Sequence, residues 1–443
     1  MKRRYSKIEV EPPGPKALEI INRDKELLMQ SYVRWFPLVI KRGYGFIVED
    51  VDGNRYLDFN AGIAVLNTGH LDSDVLKAIE DQLKNFLHYS LTDFYYEKAI
   101  SYASKLLKHM DYNGKIFFTN SGTESIEAGL KTAKGYFKGS RHYFLSFIGS
   151  FHGRTLGSLS LTASKPIHKK FFFPTVPGAI HVPYPYCYRC PFNREYPSCG
   201  LACIDYIKEW VLEKYLPGDE LAAAVIEPIA GEGGYIPAPR EFLKELKKLM
   251  EEYGALLMVD EVQTGFGRTG RLFAYQHYNV RPDLIAVAKG IASGLPLGAL
   301  IGDKDVMSLP PGSHANTFGG NPVALAAAEA TLDKLVNGLI DNARRMGDYL
   351  LKRLHELEDR YEVIGDVRGL GLMIGVELVT DRRSKKPNKK LLEKVLHSSF
   401  KKGLLIIGAG TSTIRFSPPL NITEDAVDEA LDILESSLKE NIK

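Results

Sequence analysis

The sequence predicts an α/β fold, a mostly parallel sheet covered by helices, followed by a smaller α+β unit. Three observations predict it. From about residue 72, short apolar strand-like runs alternate with amphipathic helical stretches. Polar residues recur where those runs stop. After "NPVALAAAEATLDKLV" (321–336) the alternation gives way to a long helical stretch and closely spaced strand candidates.

Taken in order, "GYGFIVEDVDGNRYLDF" (43–59) reads as two short strands around an Asp52-Gly53 turn. "KIFFTN" (115–120) is a strand, and the helix after it places Ile126, Leu130, Ala133 and Phe137 on one face. "HYFLSF" (142–147), "LAAAVIEP" (221–228), "ALLMVDE" (255–261) and "DLIAVAKG" (283–290) are further buried strands, separated by helices such as "REFLKELKKLMEEYG" (240–254). "VRGLGLMIGVEL" (367–378) and "GLLIIGAGTSTIRFSPPL" (403–420) supply strands for the smaller unit. The expected division is an N-terminal segment 1–71 contributing to the small domain, a large domain 72–330, and a C-terminal small domain 331–443.

Composition is that of a soluble globular protein, with 44% hydrophobic and 25% charged residues among 443. The net charge of +3 is too small to suggest a nucleic-acid surface. "DRRSKKPNKK" (381–390), the most basic stretch, reads as a solvated loop. No apolar run approaches the roughly 18 residues a membrane helix needs. The opening "MKRRYSKIEVEPPGP" has no apolar stretch behind its basic residues, so a cytoplasmic protein is expected, without membrane or nucleic-acid partners.

In open α/β sheets ligands bind at the carboxyl ends of the strands. There stand Asn120-Ser121-Gly122-Thr123, Glu227, Asp260-Glu261 and Lys289. "TNSGTES" (119–125) between strand and helix reads equally as a phosphate cradle or as an ordinary helix cap. "GFGRTG" (265–270) matches a dinucleotide fingerprint in form only, because "DEVQT" separates it from its strand and no helix follows. A lysine ending a buried strand is unlike a solvated one, since desolvation frees its amine. Lys289, the acid Asp260 and an anion cradle together suggest pyridoxal 5′-phosphate, which needs a Schiff-base lysine, an acid at its ring nitrogen and a phosphate anchor.

With these blocks in view the chain resembles the class III (ω-) aminotransferases of fold-type I, the group of the 4-aminobutyrate (GABA), ornithine and acetylornithine enzymes. The resemblance runs from "YLDFNAGIAVLNTGH" (56–70) through "SFHGRTLGSLSLT" (150–162), "VIEPIAGEGG" (225–234), "MVDEVQTGFGRTG" (258–270), "AKGIASGLPLGA" (288–299) and "HANTFGGNP" (314–322) to "TIRFSPPL" (413–420). It implies a seven-stranded large-domain sheet and a homodimer or higher homo-oligomer with shared active sites. Lys289 would carry the cofactor and shuttle a proton, and Asp260 would keep the ring nitrogen protonated. Gly122 and Thr123, with Ser121 beside them, would bind the phosphate, joined by Thr317 of the partner subunit. Phe151 would stack on the ring and Val262 support its other face, with Gln263 near the phenolic oxygen and His152 also in the cofactor site. Arg154 would hold a distal carboxylate and Arg415 an α-carboxylate, Glu232 would mask Arg415 when an ω-amine enters, and Ile63 and Glu227 would line the pocket. No residue of this set is assigned to a metal.

The reaction implied is ping-pong transamination in amino-acid metabolism, with 2-oxoglutarate as acceptor. Two rivals stand beside it: a racemase or epimerase, which would use the same lysine with a second acid on the opposite face of Cα, and a non-catalytic scaffold. All four cysteines lie in "YCYRCPFNREYPSCGLAC" (186–203) as Cys187, Cys190, Cys199 and Cys203. Zinc, disulfides and free thiols are all open there.

Overall fold

The structure is a computed structural model that describes residues 4–442. The first three residues of the basic opening stretch lie outside the described residues. After a helix at Pro15–Leu27 the chain forms β1 (Ile40–Tyr44), β2 (Ile47–Asp50) and β3 (Arg55–Asp58), then β4 (Gly114–Thr119), β5 (Tyr143–Ile148), β6 (Ala179–Pro183) and β7 (Leu221–Ile226). A minimal hairpin, β8 (Ile229–Ala230) with β9 (Ile236–Pro237), precedes β10 (Leu256–Asp260), β11 (Leu284–Val287) and β12 (Gly298–Asp303). The last strands are β13 (Ile364–Leu370), β14 (Met373–Leu378), β15 (Leu404–Leu405), β16 (Ile407–Ala409) and β17 (Thr413–Phe416).

Seven strands make the central sheet, in the order β4-β12-β11-β10-β7-β5-β6. Only β12 runs against its neighbours; every other pairing in the sheet is parallel. Parallel strands need crossover helices, and these cover both faces. Because successive strand residues point to opposite faces, Phe144, Val225 and Met258 meet the Ile126–Leu130–Ala133 stripe of the helix Gly122–Tyr136. Their neighbours Leu145, Leu257 and Val259 meet Leu243, Leu246 and Leu249 of the helix Phe242–Glu252. The mainly apolar composition of the strands thus follows from burial on both faces.

The chain's two ends come together beside this sheet. β15 pairs parallel with β3, Leu404 opposite Leu57, so the N-terminal hairpin shares a sheet with a C-terminal strand. β13, β14, β17 and β16 form a second four-stranded sheet that carries Arg415. The helical stretch linking the large sheet to this part bends at Asn337–Gly338, where Gly338 takes φ 140°, before the helix Ile340–Arg360. Among the described residues no helix is long and apolar enough to cross a membrane.

Candidate active site

Each predicted strand-end residue sits at the carboxyl edge of the sheet. Asp260 ends β10 and is buried. Its Oδ1 accepts from the Val262 N–H at 3.0 Å, and its Oδ2 lies 2.7 Å from His152 Nδ1. His152 is held by its own backbone N–H on Thr162 Oγ1 at 2.9 Å, while its Nε2 is buried without a partner.

Glu227 follows β7 and accepts two backbone N–H groups, Phe151 at 2.8 Å and Gly231 at 2.9 Å. Burial pushes its carboxyl up to about 7; His152 and the two N–H groups pull against this, and Asp260 adds to it. Lys289 follows β11 with φ 43°, a left-handed conformation that costs a non-glycine residue strain and that clusters at functional sites. Burial pushes its amine below the ordinary lysine value, and the charges of Asp260, Glu227 and Glu232 partly restore it while Arg415 opposes them. Those five residues are thereby one electrostatic group.

At the end of β4, Ser121 Oγ caps the helix Gly122–Tyr136 through Glu124 N–H at 3.4 Å, and Glu124 Oε2 accepts from Asn120 N–H at 2.7 Å. The helix-cap reading is therefore met. The first turn also presents Thr123 Oγ1, 2.6 Å from Ser158 Oγ and 2.8 Å from Thr155 Oγ1. Glu127, one turn further along, holds that cluster by accepting from Thr155 Oγ1 at 2.6 Å and from Ser158 N–H at 2.9 Å. Gly122 has no room for a side chain, because a Cβ there would stand 2.7 Å from Val262 Cγ1.

Phe151 is half-buried, edge-on to His168 and beneath the Arg154 guanidinium at 5.3 Å. Burial, and then Arg154, push His168 down to about 4, so it is neutral at physiological pH. Arg154 itself is exposed. Arg415 is the opposite: its side chain is 4% exposed, and its Nη1 donates to Glu232 Oε2 at 3.3 Å. Burial works against the charge of Glu232, but Arg415 and Lys165 together hold its pKa below the ordinary value. Gln263 is buried with an unpartnered Oε1. Ile63 and Thr317 are exposed, Ile63 at φ 70° in the kinked turn Ala61–Ala64 and Thr317 in the loop before the helix Pro322–Lys334.

Three contributors had gone unnoticed in the sequence. Lys165 donates to Glu232 Oε1 at 2.5 Å. Glu127 stands four residues after Thr123 on one helix, a spacing that could have exposed it. Arg268, inside the rejected "GFGRTG", is completely buried and donates to the Pro418 and Leu372 carbonyls and, at 2.6 Å, to Asn67 Oδ1. Burial lowers its pKa to about 10. "GFGRTG" itself is a run of turns, not a strand–helix junction.

The cysteine segment's cavity is lined by none of these residues. The segment's four thiols are free and line that small apolar cavity with Tyr186 and Phe192. Burial pushes Cys187 up to about 11 and Cys203 up to about 12. Among the described residues no three His, Cys, Asp or Glu are placed to hold a metal ion.

The strand-end residues fit pyridoxal 5′-phosphate. A desolvated amine faces a buried carboxylate, hydroxyls and a helix N-terminus stand ready for a phosphate, and the buried His152 Nε2 and Gln263 Oε1 await partners. The fold and these residues define a pyridoxal-phosphate enzyme of fold-type I.

Comparison with known proteins narrows this. The family described as "Aminotransferase class-III" matches residues 28–438. An alanine/serine racemase of Pyrococcus horikoshii is 40% identical, covering 99% of this chain and 94% of its own. An acetylornithine aminotransferase of Clostridium acetobutylicum is also 40% identical, covering 94% of this chain and 100% of its own. A PLP-bound amine transaminase from an uncultivated Pseudomonas species superposes with a TM-score of 0.87 at 29% identity, covering 99% of this chain and all of that one. The chain belongs to the class III aminotransferase family, whose enzymes depend on pyridoxal 5′-phosphate.

Proposed function

We propose that the protein moves the amino group of an ω-amino or amino acid to 2-oxoglutarate by a ping-pong mechanism. The observation that carries this is a pair of arginines in contrasting states: Arg154 exposed beside Phe151, and Arg415 buried and covered by Glu232. An ω-amino donor, whose carboxylate is distal to the reacting amine, needs only the open arginine, whereas a dicarboxylate needs both. A removable cover on the second lets one pocket serve each in turn.

When bound, pyridoxal 5′-phosphate supplies an electron sink that makes the proton on the substrate's amine-bearing carbon labile. Lys289 would anchor it and move that proton at the amine-bearing carbon, a role its lowered pKa supports. Asp260, steadied by Val262 N–H and His152, would supply the negative charge for the ring nitrogen. Ser121, Gly122, Thr123 and the neighbouring hydroxyls would hold the phosphate, with Thr317 of the partner subunit in a homodimer. Phe151 and Val262 would bound the ring, Gln263 its oxygen, and Ile63 and Glu227 the substrate side. Arg154 would take the distal carboxylate and Arg415 the α-carboxylate.

A second reading, racemisation, is favoured by the 40% identity to the alanine/serine racemase. One experiment separates the two. A panel of amino donors including 4-aminobutyrate, ornithine and acetylornithine is incubated with and without 2-oxoglutarate, and glutamate and product chirality are measured. Glutamate formed from an ω-amino donor supports transamination. D-enantiomer appearing from a single L-amino acid without keto acid, with no glutamate from any donor, overturns it.

A further inference from the structure

Glu232 stands between two cations. Its Oε2 accepts from Arg415 Nη1 at 3.3 Å and its Oε1 from Lys165 Nζ at 2.5 Å, so the shorter bond is to the lysine. Side-chain exposure rises across the trio, from 4% at Arg415 to 20% at Glu232 and 31% at Lys165. Arg415 Nε has no acceptor, so the guanidinium has donor capacity that Glu232 leaves unused. Lys165 is brought there by backbone pairing: Ala163 N–H donates to the Ser150 carbonyl at 2.9 Å and Gly149 N–H to the Ala163 carbonyl at 3.0 Å. The segment carrying Lys165 is therefore stitched to the loop carrying Phe151 and Arg154.

We propose that Lys165 is a positioning residue that sets how readily Glu232 uncovers Arg415, and so how well the pocket accepts substrates with an α-carboxylate. The proposal rests on the reading of Arg415 as an α-carboxylate site masked by Glu232. Drawing a carboxylate off a lone arginine breaks a charge-assisted bond and strands a part-buried charge. With Lys165 in place, Glu232 keeps its shorter bond while it lets the guanidinium go. The lysine also lies on the more exposed side, which gives Glu232 a direction in which to withdraw.

The test is calorimetric binding of 2-oxoglutarate to the holoenzyme, which reads the uncovered arginine without turnover. Lys165→Met leaves Arg415 as the sole partner of Glu232 and should weaken binding about five- to tenfold. Lys165→Arg keeps the charge and should stay within about twofold of the wild type. Glu232→Gln should tighten binding, and on that background Lys165→Met should change it by less than about twofold. An unchanged dissociation constant in Lys165→Met overturns the proposal. So does an equal weakening on the Glu232→Gln background, which would mean that Lys165 attracts the ligand directly. Glu232→Gln binding like the wild type is a different failure: it removes the masking of Arg415 itself.

Discussion

Replacing Glu227 by Gln sets a lost hydrogen bond against a removed charge, and pH decides which wins. Glu227 is 6% exposed, and its carboxylate accepts Phe151 N–H at 2.8 Å and Gly231 N–H at 2.9 Å. Glutamine keeps one acceptor oxygen and turns an amide NH2 toward the other N–H, so a buried donor is left without a partner at a cost of about 1–3 kcal/mol. Against this, glutamine buries no charge. Burial raises the Glu227 pKa from 4.5 to about 7. The native state then holds the proton more tightly than the unfolded chain, so the stability it contributes is full below pH 4.5 and fades as pH rises through 7. Between pH 5 and pH 8.5 that loss is about 2–3 kcal/mol for the wild type and nothing for the variant. Glu227→Gln should therefore be the weaker protein by about 1–2 kcal/mol at pH 5 and equal or stronger at pH 8.5. Urea unfolding of the holoenzyme, followed by circular dichroism at both pH values, measures the gap. A gap that is constant, or that widens toward alkaline pH, refutes the claim that burial governs this carboxyl.

Lys289→Ala should abolish borohydride-fixed cofactor and lower turnover about a thousandfold or more, read by mass spectrometry and glutamate formation. Arg268→Ala should cost about 3–5 kcal/mol in urea unfolding, because it opens a cavity and leaves buried acceptors at Leu372, Pro418 and Asn67 without a donor. Cys187 and Cys203, pushed up to about 11 and about 12, stay thiols at pH 8. Alkylation of Cys203, the less exposed of the two, by iodoacetamide should be about a hundredfold slower in the native protein than in urea, read by peptide mapping.

Five of the seven central strands were legible as short apolar runs; β6 and β12 were not singled out. In four of the five a polar residue stands where the run stops, and burial on both faces leaves that pattern in the letters. Lys289, Asp260 and Glu227 could be singled out for the same reason. The hairpin around Asp52-Gly53 was equally plain, but its pairing with Leu404–Leu405 was visible only as a general expectation that the two ends pack together. Lys165 could not be found this way. Nothing in "TASKP" points to a residue 67 positions later, and the contact exists only because residues 149 and 150 pair with Ala163. Arg268 was hidden differently, since its glycine-rich surroundings drew attention to phosphate binding, whereas its guanidinium turned inward. The cysteines were the most conspicuous letters, yet none of the group around Lys289 lines their cavity.

Arg268 has a bearing on how the molecule can be divided. One side chain ties a turn after β10 to Asn67 near the start of the chain and to Leu372 and Pro418 near its end. Asn67 Nδ2 also donates to the Phe266 carbonyl at 2.7 Å, so the joint is fastened from both sides. The stretches that meet there stand 201, 104 and 150 residues from Arg268 along the chain, and each supplies an acceptor to it. A fragment cut at either end of the large sheet would keep the strands but expose an arginine with nothing to hold. Exchange of either end as a module would therefore have to preserve these acceptors, which substitution within the whole chain leaves in place.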